Sequence, residues 1–253
     1  MTDLSWLVAR PIAHRGYHDA AAGVIENTPS AVAAAVERGF SIEVDLQETA
    51  DGRALVFHDH TLDRLAEAQG PVVARSAAEL VRVPMRTGSD RLWLLEDLFD
   101  LVDGRVTLVV EIKTLMTRAG QQDFVRRIAD LGRAYKGPVA FKSFDPDMVG
   151  QLRAHAPDLV RGQVADATPN EHEYRRMTRM DRFIQRHLLH AVRTRPHFVS
   201  YCFRDLPAPG PAVLRALFGR PVMAWTVRSP ADRAQALRHA DQIVFEGFDP
   251  DAS

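Results

Sequence analysis

A single (β/α)8 barrel spanning residues 1–253 is the fold this sequence predicts. Short, apolar, β-branched segments alternate with longer segments of helical periodicity, the pattern of a parallel sheet wrapped by helices. Eight such short segments can be counted. The length of 253 residues is also close to the roughly 250 that one barrel needs.

The eight strands are expected to end at His14 (RPIAH), Asp45 (FSIEVD), Ile112 (VTLVVEI), Ser143 (PVAFKS), Val164 (LVRGQV), Cys202 (FVSYC), Val227 (PVMAWTV) and Gly247 (QIVFEG). Such near-continuous apolar runs suit strands covered on both faces. Between them lie helices. ENTP opens the clearest: Thr28 caps, Pro29 takes the first helical position and Gly39 closes the end. Others are expected over 95–103, 121–131, 146–155, 171–193, 211–218 and 230–239.

One segment interrupts the alternation. EVDLQETADGRALVFHD holds two apolar runs too close together for a parallel crossover. Asp51-Gly52 between them signals a β-hairpin after the second strand. With those two residues as the turn, Ala50 faces Arg53, and counting outward sets Asp45 opposite His58. Residues 61–94 then read as a short insertion over the barrel mouth, punctuated by Gly70-Pro71, Pro84 and Gly88-Ser89.

Composition narrows the function. Hydrophobic residues make up 46% and charged residues 26% of the chain, which excludes extended disorder. A net charge of −1 gives no electrostatic footprint for nucleic acid. Cys202 is the only cysteine, so an intramolecular disulfide and a Cys-rich metal site are excluded. No basic start followed by a long apolar run marks a secretory signal, and no window is apolar enough to span a membrane. A cytoplasmic enzyme is the expectation.

Glu43 and Asp45 are two residues apart on a strand and so share a face. Two acids on one face of an apolar strand repel unless a cation or proton lies between them. Glu111 ends the next apolar strand in the same way. Three carboxylates at the C-terminal ends of barrel strands fall where barrel enzymes keep their active sites. Hard oxygen donors favour one divalent cation, Mg²⁺, Ca²⁺ or Mn²⁺. His14 and His58 each end a strand, and imidazole exchanges protons near neutrality. Of the ten histidines, His155, His172, His187, His190 and His239 fall in expected helices and are read as structural or surface residues.

In this order and spacing, AHRG with ENT, EVDLQETADG, LVFHD with TLDR, EIK, SFDP and WTV resemble the glycerophosphodiester phosphodiesterase family over nearly the whole chain. The combined set is specific where no single piece is. The resemblance implies His14 and His58 as an acid/base pair and Glu43, Asp45 and Glu111 as metal ligands. It implies Arg15 and Lys113 as phosphate contacts, with Glu26 and Asn27 near the site. Trp225 reads either as an apolar wall for the substrate alcohol or as a core aromatic. The implied substrate is a small glycerophosphodiester, cleaved to glycerol phosphate and an alcohol. Two alternatives stay open: a lysophospholipase D-like activity on lipid, and a silent barrel that binds phosphorylated ligands.

Three departures stand out. Ile25 replaces the proline usual before ENT. The last strand carries Glu246 where many members have a Thr-Asp pair. Lys142 in FKSF is an added cation near the mouth if it points inward, and otherwise reads as a structural or solvent-facing lysine. Finally, Arg175, Arg176, Arg179, Arg182, Arg186, Arg193 and Arg195 accompany Met177, Met180, Ile184, Leu188 and Ala191 at helical spacing. That is an amphipathic basic helix, either simply solvated, drawn weakly to an anionic membrane surface, or paired with acids of a partner subunit.

Overall fold

The computed structural model describes residues 3–115, 121–167 and 178–252. Its strands are β1 (Ile12–His14), β2 (Ser41–Glu48), β3 (Ala54–Val56), β4 (Leu108–Ile112), β5 (Val139–Ser143), β6 (Val160–Ala165), β7 (Phe198–Cys202), β8 (Val222–Val227) and β9 (Gln242–Phe245). All but β3 run parallel in sequence order, and β1 pairs with both β2 and β9, so the sheet closes into an eight-stranded barrel. The α/β barrel expected from the alternation is the fold observed.

The helices are α1 (Pro29–Glu37), α2 (Ala77–Leu80), α3 (Leu95–Val102), α4 (Gln122–Ala134), α5 (Pro146–His155), α6 (Arg179–Arg186), α7 (Ala191–Thr194), α8 (Pro209–Phe218) and α9 (Pro230–Ala236). Three of them start on one device. Thr28, Asp145 and Ser229 each accept a backbone N–H of the first turn, and each precedes a proline whose fixed φ suits the helix start.

Inside the barrel, side chains alternate with a period of two. The bottom layer is apolar: Ile12, Val109, Ala140, Val160, Phe198, Met223 and Val244 pack with Leu4 and Leu7 beneath them. Phe198 fits because Gly162 has no Cβ; one there would lie 2.3 Å from the ring. Two residues further along these strands come His14, Glu111, Lys142, Trp225 and Glu246. The dry layer therefore ends where the charged layer begins, toward the C-terminal ends of the strands.

Two expectations need correction. The hairpin pairs Leu46 with Val56 and Glu48 with Ala54, so Asp45 faces Phe57, not His58. Thr49 accepts from Gly52 N and donates its own N–H to Arg53, and Gly52 has φ +69°. The loop is thus three residues, a type I turn closed by a left-handed glycine, and not the two-residue turn that Asp-Gly suggested. The helix expected over 171–193 falls partly outside the described residues. Within them it breaks after α6, where Leu188 takes φ +55° and turns its side chain into the protein, before the short α7.

Residues 57–94 form a cover with a core of its own. Leu55 and Phe57 of the hairpin pack with Leu62, Val72, Leu80 and Leu92. This second cluster fixes the hairpin, and with it His58.

Candidate active site

Glu43 and Asp45 from β2 and Glu111 from β4 are each less than 5% exposed, and each offers a carboxylate oxygen within 4.8 Å of the others. Three buried carboxylates repel one another strongly unless positive charge lies among them. The chain supplies some itself. Lys113 Nζ lies 2.5 Å from Glu111 Oε1 and 3.1 Å from Asp45 Oδ1. Lys142 Nζ lies 2.9 Å from Glu43 Oε1 and 3.1 Å from Glu111 Oε2. Arg15 Nε is 3.4 Å from Asp45 Oδ2.

Lys142 is therefore neither solvent-facing nor remote. It pairs in register with Glu111 and, at 3% exposure, points inward. Burial favours its neutral form, yet the Glu43 and Glu111 charges outweigh that and raise its pKa. Burial likewise works against charge on Asp45, but Lys113, His58, Arg15 and an Asn27 hydrogen bond hold its carboxyl well below the usual range. Glu111 is pulled down against its burial by Lys113 and Lys142.

Asn27 sets the orientation of Asp45. Its Nδ2 donates to Asp45 Oδ2 at 3.0 Å, and its Oδ1 accepts from Asp45 N at 3.1 Å. Trp93 Nε1 donates to its carbonyl. Arg15 and Asn27 both have left-handed backbones, with φ 57° and 58°. Asparagine tolerates that conformation; for arginine it costs on the order of 1–2 kcal/mol. The twist lets Arg15 N donate to Glu43 Oε2 while its guanidinium reaches Glu26 at 2.6 Å.

The two histidines flank this cluster, and each donates Nδ1–H to a carboxylate. His14 reaches Glu246 Oε2 at 2.5 Å, and His58 reaches Asp59 Oδ1 at 2.7 Å. In both rings Nε2 is then the nitrogen left for proton exchange; that of His14 is 4.0 Å from Glu43 Oε2. Both acids are themselves clamped. Arg228 bonds Glu246, while Arg64 bonds Asp59 and Glu26 together. Against burial, the hydrogen bond from His14 and the nearby Arg228 charge hold the Glu246 carboxyl far below its ordinary value. Those from His58 and Arg64 do the same for Asp59.

Trp225 lies on the inner face of β8 above Met223 and meets Phe144 edge to face at 5.6 Å. It is an aromatic wall beside the charged layer. Cys202 is partly buried, and burial pushes its thiol up to about 11, which rules it out as a ready nucleophile.

All nine site residues expected from sequence fall on or beside this mouth. Lys142, Glu246, Asp59 and Arg64 were not among them, although Lys142 and Glu246 stood out as departures and Asp59 and Arg64 lie within the LVFHD and TLDR motifs.

Barrel and site together define an α/β-barrel protein with an acidic, histidine-flanked centre at the strand C-termini. Residues 14–245 match the model of the glycerophosphoryl diester phosphodiesterase family, and the chain belongs to that family. A glycerophosphodiester phosphodiesterase of Caldanaerobacter subterraneus subsp. tengcongensis is 29% identical over 161 residues, 60% of this chain and 64% of the relative. Another from Bacillus altitudinis is 34% identical over 108 residues, 40% of this chain and 43% of the relative. The matches thus span less than two thirds of those relatives' lengths. Among solved structures, an Oleispira antarctica phosphodiesterase in complex with the product sn-glycerol-3-phosphate superposes with TM-score 0.75 at 18% identity, covering 95% of this chain and 94% of that one. A glycerophosphodiester phosphodiesterase of Parabacteroides distasonis superposes with TM-score 0.73 at 19% identity, covering 93% and 92%. At those identities the likeness is one of fold.

Proposed function

We propose that this protein hydrolyses glycerophosphodiesters to glycerol phosphate and an alcohol. The observation that carries the reading is the pair of carboxylate-anchored histidines on either side of one buried carboxylate cluster. A phosphodiester needs a proton taken from the attacking oxygen and one given to the leaving alkoxide. Two imidazoles with Nε2 available serve those two roles, and their Nδ1–carboxylate bonds stabilise each ring when it is protonated. The attacking oxygen is water or the substrate's own neighbouring hydroxyl.

Glu43, Asp45 and Glu111 are the residues that would hold a divalent cation, Mg²⁺, Ca²⁺ or Mn²⁺. Their donor type and mutual spacing fit a hard ion, and such an ion supplies Lewis-acid charge for the phosphoryl oxygens. Lys142 and Lys113 share those carboxylates, so the ion competes with two ammonium groups. Arg15 and Lys113 then serve the phosphate, where positive charge stabilises the transition state. Glu26 aims Arg15, and Trp225 walls the alcohol side.

The test is hydrolysis of glycerophosphocholine, glycerophosphoethanolamine and an aryl phosphodiester, with EDTA or with added Mg²⁺, Ca²⁺ or Mn²⁺. Release of glycerol phosphate stimulated by one of these ions is expected. Ligand binding without turnover of any diester would instead make this a silent phosphate-binding barrel.

A further inference from the structure

Among the described residues, seven of the nine exposed large hydrophobic side chains lie between positions 180 and 218. Val192 is 86% exposed and Leu217 74%, with Phe183, Leu189 and Phe218 each more than half exposed. An apolar patch of this kind marks an interaction surface more often than it arises by chance. Phe183, Leu189, Val192, Val213 and Phe218 border a groove of about 830 Å³ between the α6–α7 segment and α8, edged by Arg195 and Arg220. The two walls are fixed against each other. A Cβ on Gly210 of α8 would lie 2.7 Å from the His187 carbonyl oxygen, so only glycine permits that approach.

The same stretch is strongly basic. Residues 178–220 hold eight arginines against two acids, a net charge of +6, while the rest of the chain carries −7. Arg193 pairs with Asp147 and Arg215 with Asp241, both acids from outside the segment, and a net positive charge still remains. A second copy is a poor occupant. A two-fold contact would set one basic face against another. A head-to-tail contact would need an acidic apolar face, and among the described residues the other exposed large hydrophobics are Val73 and Leu237.

We infer that the α6–α7–α8 flank docks on an anionic phospholipid surface. Apolar side chains standing out from the flank enter the headgroup and acyl boundary, while the arginines around them meet lipid phosphates. Their apolar stems lie along the boundary as the guanidinium heads stay with the phosphates. The surface lies on the outer wall of the barrel and shares no residue with the mouth. Docking is therefore separate from diester hydrolysis and stands whether or not that reaction is the right one.

The experiment is co-sedimentation of the full chain with vesicles of equimolar phosphatidylglycerol and phosphatidylcholine, and with pure phosphatidylcholine vesicles. Binding to the anionic vesicles alone, weakened by added salt, is expected. Leu217→Ser with Phe218→Ser should lower the partition coefficient by roughly a hundredfold, about 2.7 kcal/mol, with hydrolysis of a water-soluble diester unchanged. Both side chains are mainly exposed, so the fold should tolerate the changes, and an unaltered melting temperature checks this. Equal binding to both vesicle types, or to neither, would overturn the inference. So would a wild-type dimer in solution that the double substitution splits into monomers, because the face would then be a subunit interface.

Discussion

The two histidine arms of the mouth do the same thing by different routes. His58 finds its carboxylate in the next residue, and Arg64, five residues on, locks that acid in place. His14 finds its carboxylate 232 residues away, just past the last strand, where Arg228 holds it. The first arm is a local device carried by the hairpin and its cover. The second exists only because β1 pairs with β9, so it depends on barrel closure. One arm can be disturbed by local changes and the other by anything that loosens the seam.

The largest expected effect breaks both arms. His14→Ala and His58→Ala should each lower turnover by about 10²–10⁴-fold, the usual contribution of a positioned acid or base. Circular dichroism and melting temperature should stay close to wild type, since both rings are partly exposed. Wild-type-like rates in either variant would remove that histidine from the mechanism.

The ground between the arms is tested next, through Lys142→Met. Removing one partner of a buried ion pair costs about 3–5 kcal/mol, here because Glu43 and Glu111 lose a shared cation. The metal-free variant should melt well below wild type. Added Mg²⁺ or Mn²⁺ should recover much of the loss, and the variant should bind the ion more tightly by calorimetry. A variant that melts low and gains nothing from any divalent ion would show that the carboxylates form a purely internal salt-bridge cluster.

The arms themselves separate at the next level. Glu246→Gln and Asp59→Asn each leave a hydrogen-bond partner but remove the charge, and groups that orient an active residue typically contribute about 10–100-fold. The loss should appear in kcat more than in KM if each acid acts through the histidine it anchors. Arg64→Ala should hurt less, since Asp59 keeps its bond to His58. If Glu246→Gln behaves as wild type while Asp59→Asn does not, the seam-dependent arm is structural only.

The same contrast explains what could be read from the chain. The strand ends, the three carboxylates and both histidines were legible because each is a local pattern: an apolar run that ends in a charged residue. Lys142 was legible in principle. Ala140 and Lys142 stand in the period-two relation of Val109 and Glu111, but recognising this needs the register of β4 against β5. Glu246 was seen as an acid out of place, yet its partner was invisible because no spacing links position 14 to position 246. The hairpin was recognised and its register missed by one, because Asp-Gly serves both a two-residue turn and the last two positions of a three-residue one.

A buried histidine away from the mouth supplies the control for the two arms. His190 sits at the break between α6 and α7, 7% exposed, with neither ring nitrogen bonded to a carboxylate. Burial drives its pKa down to about 4, with the nearby Arg193 charge acting the same way. The folded state therefore holds His190 neutral, whereas the unfolded chain protonates it near pH 6.5. Above that pH both states are neutral and the group has no effect on stability. As pH falls below it, the unfolded state binds the extra proton, and stability drops by up to about 1.4 kcal/mol per pH unit until roughly pH 4. His197, only partly buried and also lowered to about 4 by burial and by Arg161 and Arg220, adds a smaller slope of the same sign. Urea unfolding of wild type at about pH 7 and about pH 5 should show the loss, and His190→Leu should flatten it. A variant with the wild-type slope would assign the acid sensitivity elsewhere. A flattened slope would place that acid sensitivity at His190, the buried imidazole without a carboxylate partner.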